Sequence, residues 1–182
     1  MIAMNLPNGI TIFRIALIPI FVALFSTGGQ AGAAWSIGIF LFAAITDLLD
    51  GYIARRWRQV TRLGELLDPV ADKLLIVSAL ILLVRYRGVA PWIAIIIIGR
   101  ESLVSALRAV AYRQGIVIAA EGHGKLKFVF QVAAIVLLIP LYAGPSIWRN
   151  FGLILLWAAA GLAVISGIQY FVKFWKQTKV NA

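Results

Sequence analysis

Five of the chain's seven acidic residues fall between positions 47 and 72, in the stretch DLLDGYIARRWRQVTRLGELLDPVAD. Four of them are paired by spacing: Asp47 and Asp50 stand three apart, Asp68 and Asp72 four apart, so on a helix each pair shares one face. The intervening GYIARRWRQVTRLGELL reads as a helix end, a basic turn and a helix start, which brings the two pairs together at the mouth of a hairpin. Four ionised carboxylates in a medium of low dielectric repel one another and would be driven to protonate. Divalent cations resolve that conflict. All-oxygen ligation suits Mg2+ or Mn2+, and bridging carboxylates suit two ions about 4 Å apart, an arrangement that serves in-line displacement at phosphorus.

The residues around the carboxylates fit the same chemistry. Gly51 beside Asp50 lets a ligand or a neighbouring helix approach the backbone, and Gly64, one turn before Asp68, does the same. Arg55, near the end of the first helix of the hairpin, carries a planar fork suited to a diphosphate.

The elements that must hold these groups are apolar. Of 182 residues 62% are hydrophobic and 13% charged, with a mean hydropathy of +0.95, a composition that belongs to a membrane protein. Apolar runs near residues 9–28, 33–54, 74–84, 89–107, 126–143 and 151–172 predict an all-α, polytopic chain of six transmembrane helices in one domain, 1–182. The third run is short until it is extended back through Leu66 to Asp72, which gives it a polar inner end. Before the first helix, MNLPNGITIFR predicts a short interfacial segment, with Pro7 and Asn8 marking a turn and Thr11 and Arg14 one turn apart behind it. The run IALIPIFVAL followed by GGQAGAA resembles a signal peptide, but Arg14 lies inside it and no basic residue precedes it, so an uncleaved helix is expected.

With both termini inside, the cytoplasmic ends hold ten basic residues, Arg55, Arg56, Arg58, Arg62, Arg113, Lys125, Lys127, Lys173, Lys176 and Lys179. The outer ends hold Arg85, Arg87 and Arg149. The excess predicts that the carboxylates face the cytoplasm. A net charge of +10 suits anionic headgroups and phosphorylated metabolites; no soluble domain or recognition motif points to nucleic acid. The absence of cysteine excludes disulfides, thiol catalysis and thiolate-bound metal.

Asp47, Asp50, Gly51, Ala54, Arg55, Gly64, Asp68 and Asp72 reproduce, without gap or substitution, the DxxDGxxAR…GxxxDxxxD signature that this chain shares with the CDP-alcohol phosphotransferases. NLPNGITIFRIALIP, LLDPVADK, GRESLVSALR and GKLK extend the likeness over nearly the whole chain and resemble the bacterial branch that uses glycerol 3-phosphate as acceptor. The resemblance implies transfer of a phosphatidyl group from CDP-diacylglycerol to sn-glycerol 3-phosphate, releasing CMP, in a bacterial cytoplasmic membrane. It implies Asp47, Asp50, Asp68 and Asp72 as ligands of two Mg2+ or Mn2+ ions, with Asp72 doubling as general base. It implies contacts to the CDP portion from Asn8, Gly51, Arg55, Thr61 and Gly64.

An acceptor that carries a phosphate dianion calls for a basic pocket. Arg100 and Arg108 lie eight apart, about two turns along one helical face, and Lys125 and Lys127 open the next helix. Arg108, Lys125 and Lys127 are expected to bind the acceptor phosphate, with Arg100 paired to Glu101 or to a motif aspartate. Lys73 reads as an anchor or a salt-bridge partner. His123, in the expected inner loop RQGIVIAAEGHGK, has no second histidine or cysteine with which to share a metal, and reads as a solvated residue. Trp92, Trp148 and Trp175 lie near span ends, as interfacial anchors do. Small residues in WAAAGLAVISG suit helix packing within a protomer or across an expected homodimer.

Three alternatives remain at this point. A relative with another acceptor, such as serine, inositol phosphate or phosphatidylglycerol, would share the carboxylate signature. A cation-coupled transporter would place its aspartates near mid-membrane beside broken helices. An intramembrane prenyltransferase would carry its two clusters in separate halves of a longer bundle.

Overall fold

The structure is a computed structural model and describes residues 6–57, 62–113, 123–140 and 147–180. Within these ranges the side chains of residues 6–8, 10, 47–57, 62–70, 72, 123–125, 179 and 180 lie outside the description. Among the described residues six helices follow one another: α1 Leu6–Thr27, α2 Gly29–Trp57, α3 Arg62–Arg87, α4 Pro91–Arg113, α5 His123–Leu138 and α6 Ile147–Val180. No strand occurs among the described residues, so the all-α expectation holds.

Two links between helices are set by glycine. Gly28 and Gly29, at φ of 74° and 76°, take the left-handed conformation that reverses the chain between α1 and α2. Gly88, at φ of 64°, ends α3; the Val89 N–H then donates to the Leu83 carbonyl at 3.4 Å, and Pro91 opens α4, where its missing N–H costs nothing.

The observed boundaries correct four expectations. Pro7 and Asn8 do not mark a turn before the first helix but lie within the first turn of α1, where a proline needs no amide partner. His123 does not sit in a loop: the backbone of α5 is already helical at His123, Gly124 and Lys125. The fifth apolar run was expected to continue to residue 143, yet α5 ends at Leu138, two residues before Pro140, which disfavours helix in the residue it follows. The sixth extends beyond its apolar run at both ends, so that Arg149 and Lys173 are both part of α6.

Among the described residues the main core is an apolar cluster to which all six helices contribute, with a small second cluster of Ala111 and Phe174. Phe21 and Phe25 of α1, Phe40 of α2, Leu80 and Leu83 of α3, Ile93 and Ile97 of α4, Ile135 and Leu138 of α5 and Leu156 of α6 are buried together. Ala43, Ala79, Ala134 and Ala160 lie among them and let helix backbones approach. The buried Ser36 and Ser166 hydroxyls bond within their own helices, Ser36 donating to the Gly32 carbonyl at 2.6 Å and Ser166 to the Leu162 carbonyl at 2.7 Å. Among the described residues, α1 packs on both α2 and α3, whereas α2 and α3 touch each other far less; α6 packs on α5 and α4.

The outer face carries many large apolar side chains. Phe42, Ile81, Ile95, Leu103, Ile154 and Ile168 all stand exposed, the surface expected of a chain solvated by lipid. Gly29–Thr46 and Ile147–Thr178 are each long and apolar enough to cross a bilayer, while the apolar stretches Thr11–Thr27 and Leu126–Leu138 are shorter. Alternation of direction gathers one set of helix ends together: Arg87 donates to the Ile139 carbonyl at 3.1 Å and lies over the Phe25 ring, and the Arg149 guanidinium lies beside Gly88. Those are the arginines that charge counting assigned to one side. Trp57 and Arg62, the helix ends within the acidic stretch, belong to the opposite end.

Candidate active site

Regular helix runs through all four motif carboxylates. Asp47 and Asp50 fall on α2, with Gly51 and Arg55 following on the same helix; Gly64, Asp68 and Asp72 fall on α3. Each pair therefore keeps the one-turn spacing read from the sequence, on two consecutive helices of opposite direction. The side chains of these residues lie outside the described ones, as do those of Asn8 on α1 and Lys125 on α5 and the whole of Thr61.

The neighbourhood of the last aspartate is described. Lys73, which follows Asp72, donates from its Nζ to the Ser105 hydroxyl and so ties α3 to α4. One turn before Ser105 on α4, Glu101 accepts from Lys127 of α5 and, at 3.2 Å, from Arg100. Arg100 donates at 3.0 Å to the Ser166 hydroxyl of α6, which itself donates to the Leu162 carbonyl at 2.7 Å. Lys127, Glu101, Arg100 and Ser166 thus form one polar chain through α5, α4 and α6, and the separate Lys73–Ser105 bond adds α3, in an otherwise apolar bundle. The pairing of Arg100 with Glu101 is as expected.

Lys127 is buried, and its partner Glu101 stands 26 residues away in sequence, a pairing that no local spacing announces. Gln131, one turn along α5, is buried with its Nε2 unpartnered by hydrogen bond. Arg108 is exposed, its guanidinium 6.0 Å from the centre of the Tyr170 ring. Of the three cations expected at an acceptor phosphate, then, Lys127 belongs to the polar chain, Arg108 stands two turns along α4 from Arg100, and Lys125 occupies the first turn of α5. Sequence reasoning missed Ser105, Gln131 and Ser166. The available signal was Glu101 itself, an acid midway along an apolar helix, which requires partners from neighbouring helices.

Residues 4–165 match the family described as CDP-alcohol phosphatidyltransferase. A Bacillus subtilis protein named CDP-diacylglycerol–glycerol-3-phosphate 3-phosphatidyltransferase is 40% identical, with 97% of this chain and 98% of that protein covered. One of the same name from Haemophilus influenzae is 42% identical over 91% of each chain. A rice protein named cardiolipin synthase (CMP-forming) is 38% identical, with 95% of this chain but 58% of that protein covered.

Proposed function

We propose that this chain, which belongs to the CDP-alcohol phosphatidyltransferase family, is an enzyme that transfers the phosphatidyl group of CDP-diacylglycerol to sn-glycerol 3-phosphate, giving phosphatidylglycerophosphate and CMP. The observation that carries this reading is end-to-end similarity, at 40% and 42% identity, to two bacterial proteins bearing that enzyme name. Membership of the family sets aside the transporter and the prenyltransferase. Phosphatidylglycerol as acceptor stands as the second reading, favoured by the rice relative's name.

The donor set of the motif is purely carboxylate, which fits hard divalent cations and offers nothing to a softer metal. Asp47, Asp50, Asp68 and Asp72 would hold two Mg2+ or Mn2+ ions. When bound, such ions supply charge neutralisation at the diphosphate and at the departing CMP. The chain's own residues do the rest. Gly51 and Gly64 leave room for the nucleotide at the backbone of α2 and α3, Arg55 clasps the diphosphate, and Asn8 and Thr61 line the same pocket. Asp72 accepts the proton of the acceptor hydroxyl as its oxygen bonds to the phosphorus that bears diacylglycerol and the bond from that phosphorus to CMP breaks. Arg108, Lys125 and Lys127 bind the acceptor phosphate; the contact of Lys73 with Ser105 supports this by setting the helix of Arg108 beside the helix of Asp72.

All six helices act as membrane spans in one domain, and the chain works as a homodimer in a bacterial cytoplasmic membrane. Both termini and the site face the cytoplasm. The distribution of basic residues and the apolar exterior support this arrangement.

Purified protein in detergent, supplied with CDP-diacylglycerol and Mg2+, tests the reading when glycerol 3-phosphate, serine, inositol phosphate and phosphatidylglycerol are offered separately. CMP release with glycerol 3-phosphate alone is expected. Release with phosphatidylglycerol alone would transfer the assignment to the second reading, and release with none would sink both.

A further inference from the structure

Arg14 of α1 is 1% exposed, and among the described residues it is the one charged group in the set of largest fully buried side chains. Thr11, one turn before it, is fully enclosed. A guanidinium stays charged under all conditions a protein meets, so its removal from water must be offset by an anion and by further acceptors. Arg14 does engage a partner.

Among the acids carried by the described helices, the packing restricts where that anion comes from; Glu121 lies outside the described residues. Among the described residues α1 packs on α2 and α3 and on no other helix. Glu101, on α4, is engaged by Lys127 and Arg100. The acids of α2 are Asp47 and Asp50, those of α3 Glu65, Asp68 and Asp72.

Register selects among these five. α1 and α2 run antiparallel through the glycine link, with the Phe13 and Phe42 rings edge to face at 6.3 Å and Gly32 against the Leu24 carbonyl. Counted from either contact, Asp47 is level with residues 8–9 of α1. α1 and α3 run parallel, with Phe25 and Tyr86 at 5.9 Å and Arg87 over Phe25 at 5.0 Å. Counted from the first of these, Asp72 is level with residue 11. Side chains on a helix lean towards its N-terminus, which carries the reach of Arg14 about one turn down α1, to the level between those two positions. Asp68, level with residue 7, falls about three residues farther on, and Asp50 and Glu65 lie a turn or more beyond that reach, so Asp72 and Asp47 are the nearest in level.

We infer that Arg14 is a positioning residue whose guanidinium, with Thr11 beside it, holds one carboxylate from each half of the motif, Asp47 from α2 and Asp72 from α3. The inference rests on the reading of that motif as the metal site. It fits the packing among the described residues, where α1 lies against both motif-bearing helices. Held from the α1 side, the two carboxylates are kept at fixed separation, and part of their mutual repulsion is offset before a cation arrives. Groups that orient metal ligands in this way typically change metal affinity about 10–100-fold when removed.

The test is Mn2+ binding to the purified full-length protein in detergent, without substrate, read by electron paramagnetic resonance of the free ion. Arg14→Met is expected to weaken binding about 10–100-fold, and Arg14→Lys, which keeps the charge but loses the fork, by less. Thermal unfolding in metal-free buffer supplies an independent readout: adding Asp47→Asn or Asp72→Asn to Arg14→Met should restore stability, because each removes a charge left without its partner. Wild-type Mn2+ affinity in Arg14→Met, or strictly additive effects with both aspartates, would overturn the inference. Should Arg14→Met fail to fold, recovery of folding on adding either asparagine supports the pairing and recovery with neither refutes it. If the wild-type protein itself binds no Mn2+, the metal reading of the motif falls instead, and the unfolding measurement still decides the pairing.

Discussion

Lys127 of α5 and Glu101 of α4 form an ion pair in which the lysine side chain is 7% exposed and the glutamate 25%. Glu101 also receives Arg100, whose second donor reaches Ser166 on α6. The glutamate therefore compensates two cations at once, and it holds α4, α5 and α6 in mutual register inside an apolar bundle. Cations intended for an acceptor phosphate can be kept in such surroundings only if an anion stabilises them while no substrate is bound.

Removing the anion should accordingly cost more than removing one cation. Glu101→Gln leaves Lys127 buried without its partner and is expected to lose about 3 kcal/mol of stability, the lower end for a broken buried pair because Glu101 is partly exposed. Lys127→Met leaves Glu101 with Arg100 and should lose less. Denaturation of the single and double variants in detergent checks this; the double variant should recover part of the Glu101→Gln loss, since Arg100 still lacks its anion.

The contact of α5 with α6 depends on a missing side chain. A Cβ at Gly152 would stand 2.9 Å from Leu138 Cγ and 3.2 Å from Leu137 Cβ, and Leu138 is fully buried and has no room to swing aside. Gly152→Ala should destabilise by about 1–3 kcal/mol. At Gly161 on the same helix a Cβ meets nothing within 4 Å, so Gly161→Ala should be neutral or gain up to about 1 kcal/mol from helix propensity. Equal unfolding temperatures for the two variants would contradict the packing described.

The sequence made the helices legible because long apolar runs have few alternatives, and it located the motif because three- and four-residue spacings survive intact on α2 and α3. It erred where local chemistry was ambiguous. Glycines around His123 resemble a loop, yet a helix N-terminus tolerates them, and α5 begins there. Pro7 resembles a turn for the same reason. Glu101 announced the need for a partner, but that the partner is Lys127 was not legible, since partners on different helices are set by packing and not by spacing. Thr11 and Arg14 were visible as neighbours one turn apart, but their burial depends on how α1 lies across α2 and α3.

The two aspartates of α3 should separate by role. Asp72→Asn is expected to retain CDP-diacylglycerol binding while turnover falls by about 10²–10⁴-fold, the usual contribution of a general base. Asp68→Asn should weaken metal-dependent donor binding as well. Donor binding measured against Mg2+ concentration, alongside CMP release, distinguishes them; near-wild-type turnover in both would remove these carboxylates from the reaction.

The acceptor cations differ in what else depends on them, and that makes them separable by kinetics. Lys127 is committed to Glu101 and its loss disturbs the bundle, so a fall in activity there does not by itself locate the acceptor. Lys125 stands in the first turn of α5, where the backbone N–H groups and the positive end of the helix dipole already favour an anion. Arg108, exposed and facing Tyr170, has no protein carboxylate partner among the described residues. Lys125→Ala and Arg108→Ala should therefore leave the unfolding temperature close to wild type and raise KM for glycerol 3-phosphate more than KM for CDP-diacylglycerol. A charge-assisted hydrogen bond to phosphate, worth about 1.5–3 kcal/mol, corresponds to roughly a 10–150-fold rise. The opposite pattern, with the donor constant rising and the acceptor constant unchanged, would move the acceptor phosphate away from the α4–α5 end of the bundle.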